Sequence, residues 1–314
     1  MSLNSAITDK KILILGASSY IGRQLLARLG PDRAVGTYFN TPFKDGVYFD
    51  ILKMDIPDIL DDPQELTHAV ILSANSKPDF CVKHILESTF INVTRMREIA
   101  DQLKSFGIIP LFVSTEAVFD GQRGNYIETD PVNPILVYGE QKAQMEQYLL
   151  QTNDKSIIVR LAKVYGTQPH DGTFLTKWLE QLESGETIMC ARDQVTSPIH
   201  VDEVAEAVTL LIEQGHKGIF HICSKVAYSR SGLLKLLIKY YRRYKQNEAK
   251  VVECSINDFP VLEKRPLNIS MRPDKLIKAS GIQINDVEHY CDEITRNAYG
   301  NKENKHACQG SGVK

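Results

Sequence analysis

Lys10-Lys11-Ile12-Leu13-Ile14-Leu15-Gly16, followed without a break by Ala17-Ser18-Ser19-Tyr20-Ile21-Gly22, decides the fold. The first half is an unbroken apolar run of the kind that forms a strand buried on both faces of a parallel sheet. The second half is a glycine-bounded turn that opens a helix, whose apolar residues are Ile21, Leu25, Leu26 and Leu29. Strand, glycine turn and helix start are the setting in which backbone N–H groups face a pyrophosphate. Gly16 permits the tight turn and Gly22 lets the helix pack closely on the strand. The middle glycine of the usual pattern is Ser19 here, which fits if its hydroxyl points at phosphate.

Working outward, further strands are expected at Ala34–Tyr38, Gly46–Asp50, Ala69–Ser73 and Ile109–Ser114, with one long helix from Phe80 to Phe106 before the last. The face of that helix is supplied by Ile85, Leu86, Ile91, Met96, Ile99 and Leu103. Such alternation predicts an α/β fold, a Rossmann-type doubly wound parallel sheet with right-handed crossovers. Dinucleotide-binding candidates are Gly16, Ser18, Ser19, Tyr20, Ile21 and Gly22 in the loop. Tyr38 and Asn40 follow the second strand, Asp50 and Ile51 the third, and Ser73, Ala74 and Asn75 the fourth. A carboxylate after the second strand would hold the ribose hydroxyls of NAD. Thr37-Tyr38-Phe39-Asn40 has none, so NADP(H) is preferred over NAD(H). Asp50 either accepts from an adenine amino group or caps the turn that follows it.

The chemistry is expected between residues 114 and 166. Ser114 and Thr115 end an apolar strand at the ligand edge of the sheet, and a polar loop leads from there to Tyr138-Gly139-Glu140-Gln141-Lys142. Four residues separate Tyr138 from Lys142, so both project from one helix face. A phenol with pKa near ~10 is a poor acid–base group at neutral pH, and an ammonium one turn away lowers that value. A phenol tuned in this way suits proton transfer at a carbonyl or alcohol. YxxxK alone also arises on amphipathic surface helices; the strand–helix context raises its weight.

Gly16-x5-Gly22, Ser114-Thr115-x2-Val118-Phe119-Asp120-Gly121, Tyr138-x3-Lys142 and Arg160-x3-Val164-Tyr165-Gly166 together resemble an extended short-chain dehydrogenase/reductase. Within that group they are similar to the dTDP-4-dehydrorhamnose reductase branch. Asp193-Gln194-x3-Pro198 and Arg265-Pro266-Leu267-Asn268 fit as well, so the resemblance runs over roughly residues 10 to 280. It implies NAD(P)H-dependent reduction of a nucleotide-linked 4-keto-6-deoxy sugar, with Tyr138 as general acid. Lys142 would hold the nicotinamide ribose and lower the tyrosine pKa, and Thr115 would donate to the developing alkoxide. Ser114, Glu116, Gln194 and Arg265 would contact substrate, while Arg160 reads as a structural ion pair. Two residues depart from the branch: Glu116 and Ala117 stand where aspartate and tyrosine are usual. They also lack the Asp-Glu pair of the sister 4,6-dehydratases, which argues against dehydration. Ala117 enlarges the sugar pocket unless a loop fills the space. An epimerase with the same Thr/Tyr/Lys set stays open. So does a non-catalytic NADP-binding subunit like the regulatory β subunit of methionine adenosyltransferase.

The rest of the chain sets bounds. The 314 residues are 43 % hydrophobic and 24 % charged with a net charge of −2, which argues against a general nucleic-acid or membrane-surface binder. The basic run Lys239 to Lys245 reads as an amphipathic helix end. Cys81, Cys190, Cys223, Cys254, Cys291 and Cys308 are scattered, with no CxxC spacing, so neither a disulfide framework nor a metal site is expected. The N-terminus lacks a signal-peptide pattern and no apolar run suffices for a membrane span, so a cytoplasmic protein is expected, with a homodimer left open. Residues 173–184, ended by Gly185, and a segment from His200 are predicted helices, with His200 capping or packing. Gly218–Ile222 is predicted to return to the main sheet. The domain reading is 1–166 for the dinucleotide, with 199–224 returning to it, and 167–198 with 225–299 for substrate. Residues 300–314 are read as a disordered tail.

Overall fold

Ile12 to Leu15 are fully buried, which places β1 (Lys11–Leu15) at the centre of the sheet. Its side chains alternate, with Ile12 and Ile14 in one apolar cluster and Leu13 and Leu15 in another. The computed structural model describes residues 11–60, 65–246 and 249–307, with side chains as far as residue 300. Lys10 and Cys308 lie outside the described residues.

Helix α1 (Tyr20–Leu29) leads to β2 (Ala34–Tyr38), β3 (Val47–Tyr48) and β4 (Leu66–Ile71). Next come α2 (Pro78–Lys83), α3 (Ile85–Thr89), a π-helical segment (Phe90–Arg95), α4 (Met96–Ser105) and β5 (Ile109–Thr115). Helix α5 (Val137–Thr152), β6 (Ile157–Leu161), β7 (Val164–Tyr165), α6 (Phe174–Ser184), β8 (Ile188–Ala191), β9 (Val195–Thr196) and β10 (Ile199–His200) follow. The chain continues through α7 (Val201–Glu213), β11 (Gly218–Ile222), β12 (Tyr228–Ser229), α8 (Arg230–Tyr241), β13 (Val251–Cys254), α9 (Asp274–Ser280) and α10 (Val287–Ala307). Seven strands pair in the order β3-β2-β1-β4-β5-β6-β11, and every pairing is parallel. The expected doubly wound sheet is present, and β11 joins it beside β6. The order reverses between β1 and β4, which opens a crevice at their carboxyl ends where ligands bind in such sheets.

Leu25 of α1, Val204 and Val208 of α7 and Leu276 of α9 cover one face of the sheet. Met96, Ile99 and Leu103 of α4 and Met145 and Leu149 of α5 cover the other. A separate cluster of Trp178, Leu182, Leu234, Leu237 and Tyr290 binds α6, α8 and α10 into a smaller lobe. Three two-stranded pairs, β10–β7, β12–β9 and β13–β8, stitch its loops together.

The single helix expected from Phe80 to Phe106 is not formed. His84 takes φ −125° and ψ 58°, which ends α2, and the π-helical turn then shifts the apolar stripe. Met96, Ile99 and Leu103 are buried as expected, but Ile85 and Leu86 are exposed, Leu86 by 88 %. Periodicity carries the correct face only downstream of the π segment. At the other end of the chain α10 runs to Ala307, so residues 300–307 of the expected tail are helical. Residues 308–314 lie outside the described residues. The basic run closing α8 is matched by acids: Lys239 pairs with Glu288 and Arg243 with Asp292, both at 2.6 Å. Among the described residues no helix is long and apolar enough to cross a membrane.

Candidate active site

The carboxyl edge of β1 turns at Gly16, whose φ of +89° suits glycine. Ser19 caps α1, its Oγ accepting from the Gly22 N–H at 3.1 Å. That oxygen caps the helix, and its O–H remains available to donate into the cleft that Ser19 lines. A Cβ on Gly22 would meet Ala17 Cα and Gly16 O at 2.6 Å, so the close helix–strand approach read from the sequence is present. Ser18 turns its carbonyl toward Arg23, which donates to it at 3.0 Å. The Tyr20 hydroxyl donates to Asp171 at 2.9 Å and blocks any side chain at Gly166, whose Cβ would stand 1.7 Å from it.

From this loop a cleft of about 730 Å³ extends between the sheet edge and the smaller lobe. Ser19, Tyr20 and Ile21 line one end; Thr115, Glu116, Tyr138 and Lys142 line a wall; Gln194 and Arg265 reach it from the smaller lobe. Ala74 also lines it, while Tyr38, Asn40, Asp50 and Ile51 are not among its walls. Tyr38 packs edge-on against Phe43 and Tyr48 at 6.1 and 5.8 Å, and Asn40 is exposed. Asp50 accepts from the Leu52 N–H at 3.0 Å and pairs with Lys53 at 3.2 Å, so its carboxylate caps the turn. The Ile51 carbonyl accepts from Arg95 at 2.7 Å. Ser73 abuts the loop, 3.0 Å from where a Gly16 Cβ would be.

Asn75 is held by its backbone. Its N–H donates to Asn92 Oδ1 at 2.8 Å, and its carbonyl accepts from Asn92 Nδ2 at 2.9 Å. The same Nδ2 donates to Gln141 Oε1 at 2.7 Å, and Gln141 Nε2 donates to Ser88 Oγ at 2.8 Å. Asn92 lies within the π-helical turn, so that irregularity ties the edge of β4 to the helix bearing Tyr138.

Strand β5 pairs with β6 so that Ser114 lies opposite Arg160 and Thr115 opposite Leu161. Thr115 caps the short 3₁₀ turn Glu116–Val118, accepting from the Ala117 N–H at 3.2 Å. Gly139 lets α5 close on that turn: a Cβ there would meet the Ala117 carbonyl at 2.2 Å. This approach brings Tyr138 to the Thr115 hydroxyl, to which it is hydrogen-bonded. Tyr138, Lys142 and Glu146 recur every four residues on α5, one above another on its inner face. Lys142 is buried; its Nζ donates to the Val113 carbonyl at 2.8 Å and lies 6.0 Å from the Tyr138 ring centre. Burial pulls its ammonium down to about 8, against an upward pull from Glu146.

The phenol does not behave as the spacing suggested. Burial pushes the Tyr138 hydroxyl well above its ordinary value, Cys81 adds to that, and the Thr115 hydrogen bond acts the other way. Tyr138 therefore keeps its proton, with its oxygen beside Thr115. Ser114, expected to meet substrate, lines the cleft and donates to Glu146. Arg160 is the structural partner expected of it, pairing with Glu146 at 2.8 Å. His200 caps α7 through the Asp202 N–H at 3.3 Å and stacks on Tyr290 at 4.1 Å, again as expected. Arg265 gives one nitrogen to Asp79 at 2.6 Å, and its Nη1 is buried without a protein partner. Gln194 donates weakly to the Pro266 carbonyl at 3.5 Å.

Glu116 is the unusual carboxylate. It is 8 % exposed and accepts from the Thr196 hydroxyl at 2.6 Å. Burial raises it to about 7, while Thr196 and Lys163 act downward. An unfolded chain ionises this group near 4.5, so between the two values the folded state holds the extra proton. Stability therefore falls as pH rises from 4.5 toward 7, and the loss is complete above that. Glu116→Gln, which cannot ionise, is expected to be more stable than the parent by about 2–3 kcal/mol at pH 8. Below the ordinary carboxylate range the two should match, and urea unfolding at the two pH values reads the difference. Sequence reasoning passed over Lys163, Arg230 and Gly139, all close to the cleft; only the nearness of Lys163 to the Arg160 motif could have flagged it.

Comparison with known proteins assigns the chain. The family described as RmlD substrate binding domain matches residues 10–299. The chain belongs to that family. Among curated relatives, a dTDP-4-dehydrorhamnose reductase of Aggregatibacter actinomycetemcomitans is 26 % identical over 285 residues, covering 88 % of this chain and 95 % of its own. The methionine adenosyltransferase 2 subunit beta of Bos taurus is 25 % identical over 227 residues, covering 68 % and 67 %. A solved dTDP-4-dehydrorhamnose reductase of Bacillus anthracis in complex with NADP superposes with a TM-score of 0.76 at 22 % identity, covering 92 % of this chain and 99 % of its own. In this family member, then, the glycine loop, Thr115, Tyr138 and Lys142 share one cleft.

Proposed function

We propose that this chain reduces a nucleotide-linked 4-keto-6-deoxy sugar with NADPH. The observation that carries the reading is the single cleft in which the helix-capped glycine loop and the Thr115–Tyr138–Lys142 set meet. Similarity to a curated dTDP-4-dehydrorhamnose reductase over 88 % of the chain supports it. The cradle fits a dinucleotide: Gly16 has positive φ, and Gly22 leaves no room for a side chain. The loop of 16–22 would hold the pyrophosphate and Lys142 the nicotinamide ribose. When bound, the nicotinamide supplies the hydride. Tyr138 gives its proton to the carbonyl oxygen, and Thr115 donates to that oxygen as charge develops on it. Lys142, one turn along α5, offsets the phenolate left behind. The preference for NADPH over NADH rests on Tyr38-Phe39-Asn40, which puts no carboxylate at the end of β2. We assign 1–166 with 199–224 to the dinucleotide and 167–198 with 225–299 to substrate, in a cytoplasmic protein that associates as a homodimer.

The test is NADPH oxidation against a panel of nucleotide-linked 4-keto-6-deoxy sugars, with NADH alongside. Turnover faster with NADPH is the expected result. Product formation without net cofactor consumption would point to the epimerase instead. Tight NADPH binding without turnover, plus co-purification of a partner, would favour a regulatory subunit, the reading supported by the likeness to the methionine adenosyltransferase β subunit.

A further inference from the structure

Two cations border the cleft beside Thr115, and neither was signalled by a motif. Lys163 follows β6 and gives its backbone N–H to the Glu116 carboxyl. Arg230 opens α8, immediately after the capping residue Ser229. Strand β12 brings it there: Tyr228 pairs with Thr196, and Thr196 holds Glu116. The Arg230 backbone N–H donates to the Gln194 carbonyl at 3.0 Å. Its guanidinium rests 5.6 Å from the centre of the Trp178 ring and borders the cleft. Among the described residues, neither Lys163 nor Arg230 forms an ion pair with a carboxylate. Glu116, which accepts from Thr196, is a nearby carboxylate whose charge acts on Lys163 without forming an ion pair with it. Lys177 adds a further positive charge to the field at Lys163.

Arg230 is half-buried and Lys163 is exposed, so both cations stand on the cleft wall within reach of a ligand. The planar fork of a guanidinium matches carboxylate and phosphate oxygens. We propose that Lys163 and Arg230 form an anion subsite beside Thr115 that takes a carboxylate or phosphate group carried by the substrate. This inference rests on the sugar-nucleotide reading of the cleft and narrows it. The anion has two sources of the same chemistry: an acidic substituent on the sugar, or the diphosphate that joins sugar to nucleoside. Ala117, where a large aromatic would fill the wall, leaves space on the Glu116 side for a substituent of the first kind.

The experiment is calorimetric titration of the whole chain and of Lys163→Gln, Arg230→Gln and the double variant. UDP-glucuronic acid, UDP-glucose, UDP and inorganic pyrophosphate are the probes, and the dTDP forms of the nucleotide ligands are run beside them. Lys239→Gln, on the far end of α8 and paired with Glu288, controls for general charge. Melting temperatures establish that each variant is folded. Each single variant is expected to weaken the bound anion about 10-fold, the loss of one charge-assisted hydrogen bond to the anion. A loss confined to UDP-glucuronic acid assigns the subsite to a sugar carboxylate; equal loss for UDP-glucose, UDP and pyrophosphate assigns it to the diphosphate. Unchanged affinity for every anion, or no anion bound by the parent, overturns the proposal. Pyrophosphate needs no nucleotide pocket, so this arm reads the subsite even if no sugar nucleotide is a substrate.

Discussion

Tyr138→Phe is expected to lower kcat for the reductive reaction about 10²–10⁴-fold, or about 3–5 kcal/mol of barrier. The substitution removes one oxygen. The ring stays between α5 and the 3₁₀ turn, and Lys142 keeps its bond to the Val113 carbonyl. Burial holds the phenol protonated, with Thr115 beside it in the cleft, and the Glu116 carboxyl on the same wall is engaged by Thr196. NADPH affinity and melting temperature should change little, which separates loss of chemistry from loss of structure. A fall of less than tenfold in steady-state turnover would remove Tyr138 from the mechanism.

The second large effect is on stability. Arg160 and Glu146 are 4 % and 3 % exposed, and pair at 2.8 Å beneath the cleft. Ser114 donates to the same carboxylate, and the guanidinium lies 5.1 Å from the Phe119 ring centre. Arg160→Met leaves the buried Glu146 carboxylate without its ion-pair partner, with the Ser114 hydroxyl bonded to it and the Lys142 charge nearby. Loss of one partner of a buried pair costs about 3–5 kcal/mol, which denaturant unfolding would measure. Arg160→Met combined with Glu146→Leu should recover most of it, because the pair's own net contribution is small once both desolvation costs vanish. If the single variant loses less than about 1 kcal/mol, well under the usual range, the carboxylate has found water and the core here is looser than described.

These two cases show what linear sequence can carry. Tyr138 and Lys142 follow the helical repeat, so their common face was legible from spacing alone. The glycine loop and its strand were legible because the apolar run of β1 is buried on both sides and alternates into two cores. Spacing was silent on dielectric environment. It placed an ammonium near a phenol but could not show that burial raises Tyr138. The broken helix of 78–105 failed for a related reason: Asn92 sits in a π-helical turn fixed by Gln141 and Asn75, contacts distant in the chain. Glu116 was chosen from a motif, yet its partner Thr196 lies 80 residues on. Lys163 reaches the cleft from the end of β6, and Arg230 meets it there through the pairing of β12 with β9. No local pattern encodes that meeting.

The Tyr20–Asp171 contact has a mechanical consequence. Asp171 is also held by the Thr173 N–H at 2.8 Å and the Thr176 hydroxyl at 2.7 Å, so it is anchored to the first turn of α6. Tyr20, from the cofactor loop, latches onto that anchor, and Gly166 leaves the socket clear. Loop and lobe are thereby clasped at one point. A swing of the smaller lobe either unfastens this clasp or pulls the glycine loop along with it, so the two ends of the cleft move as coupled parts.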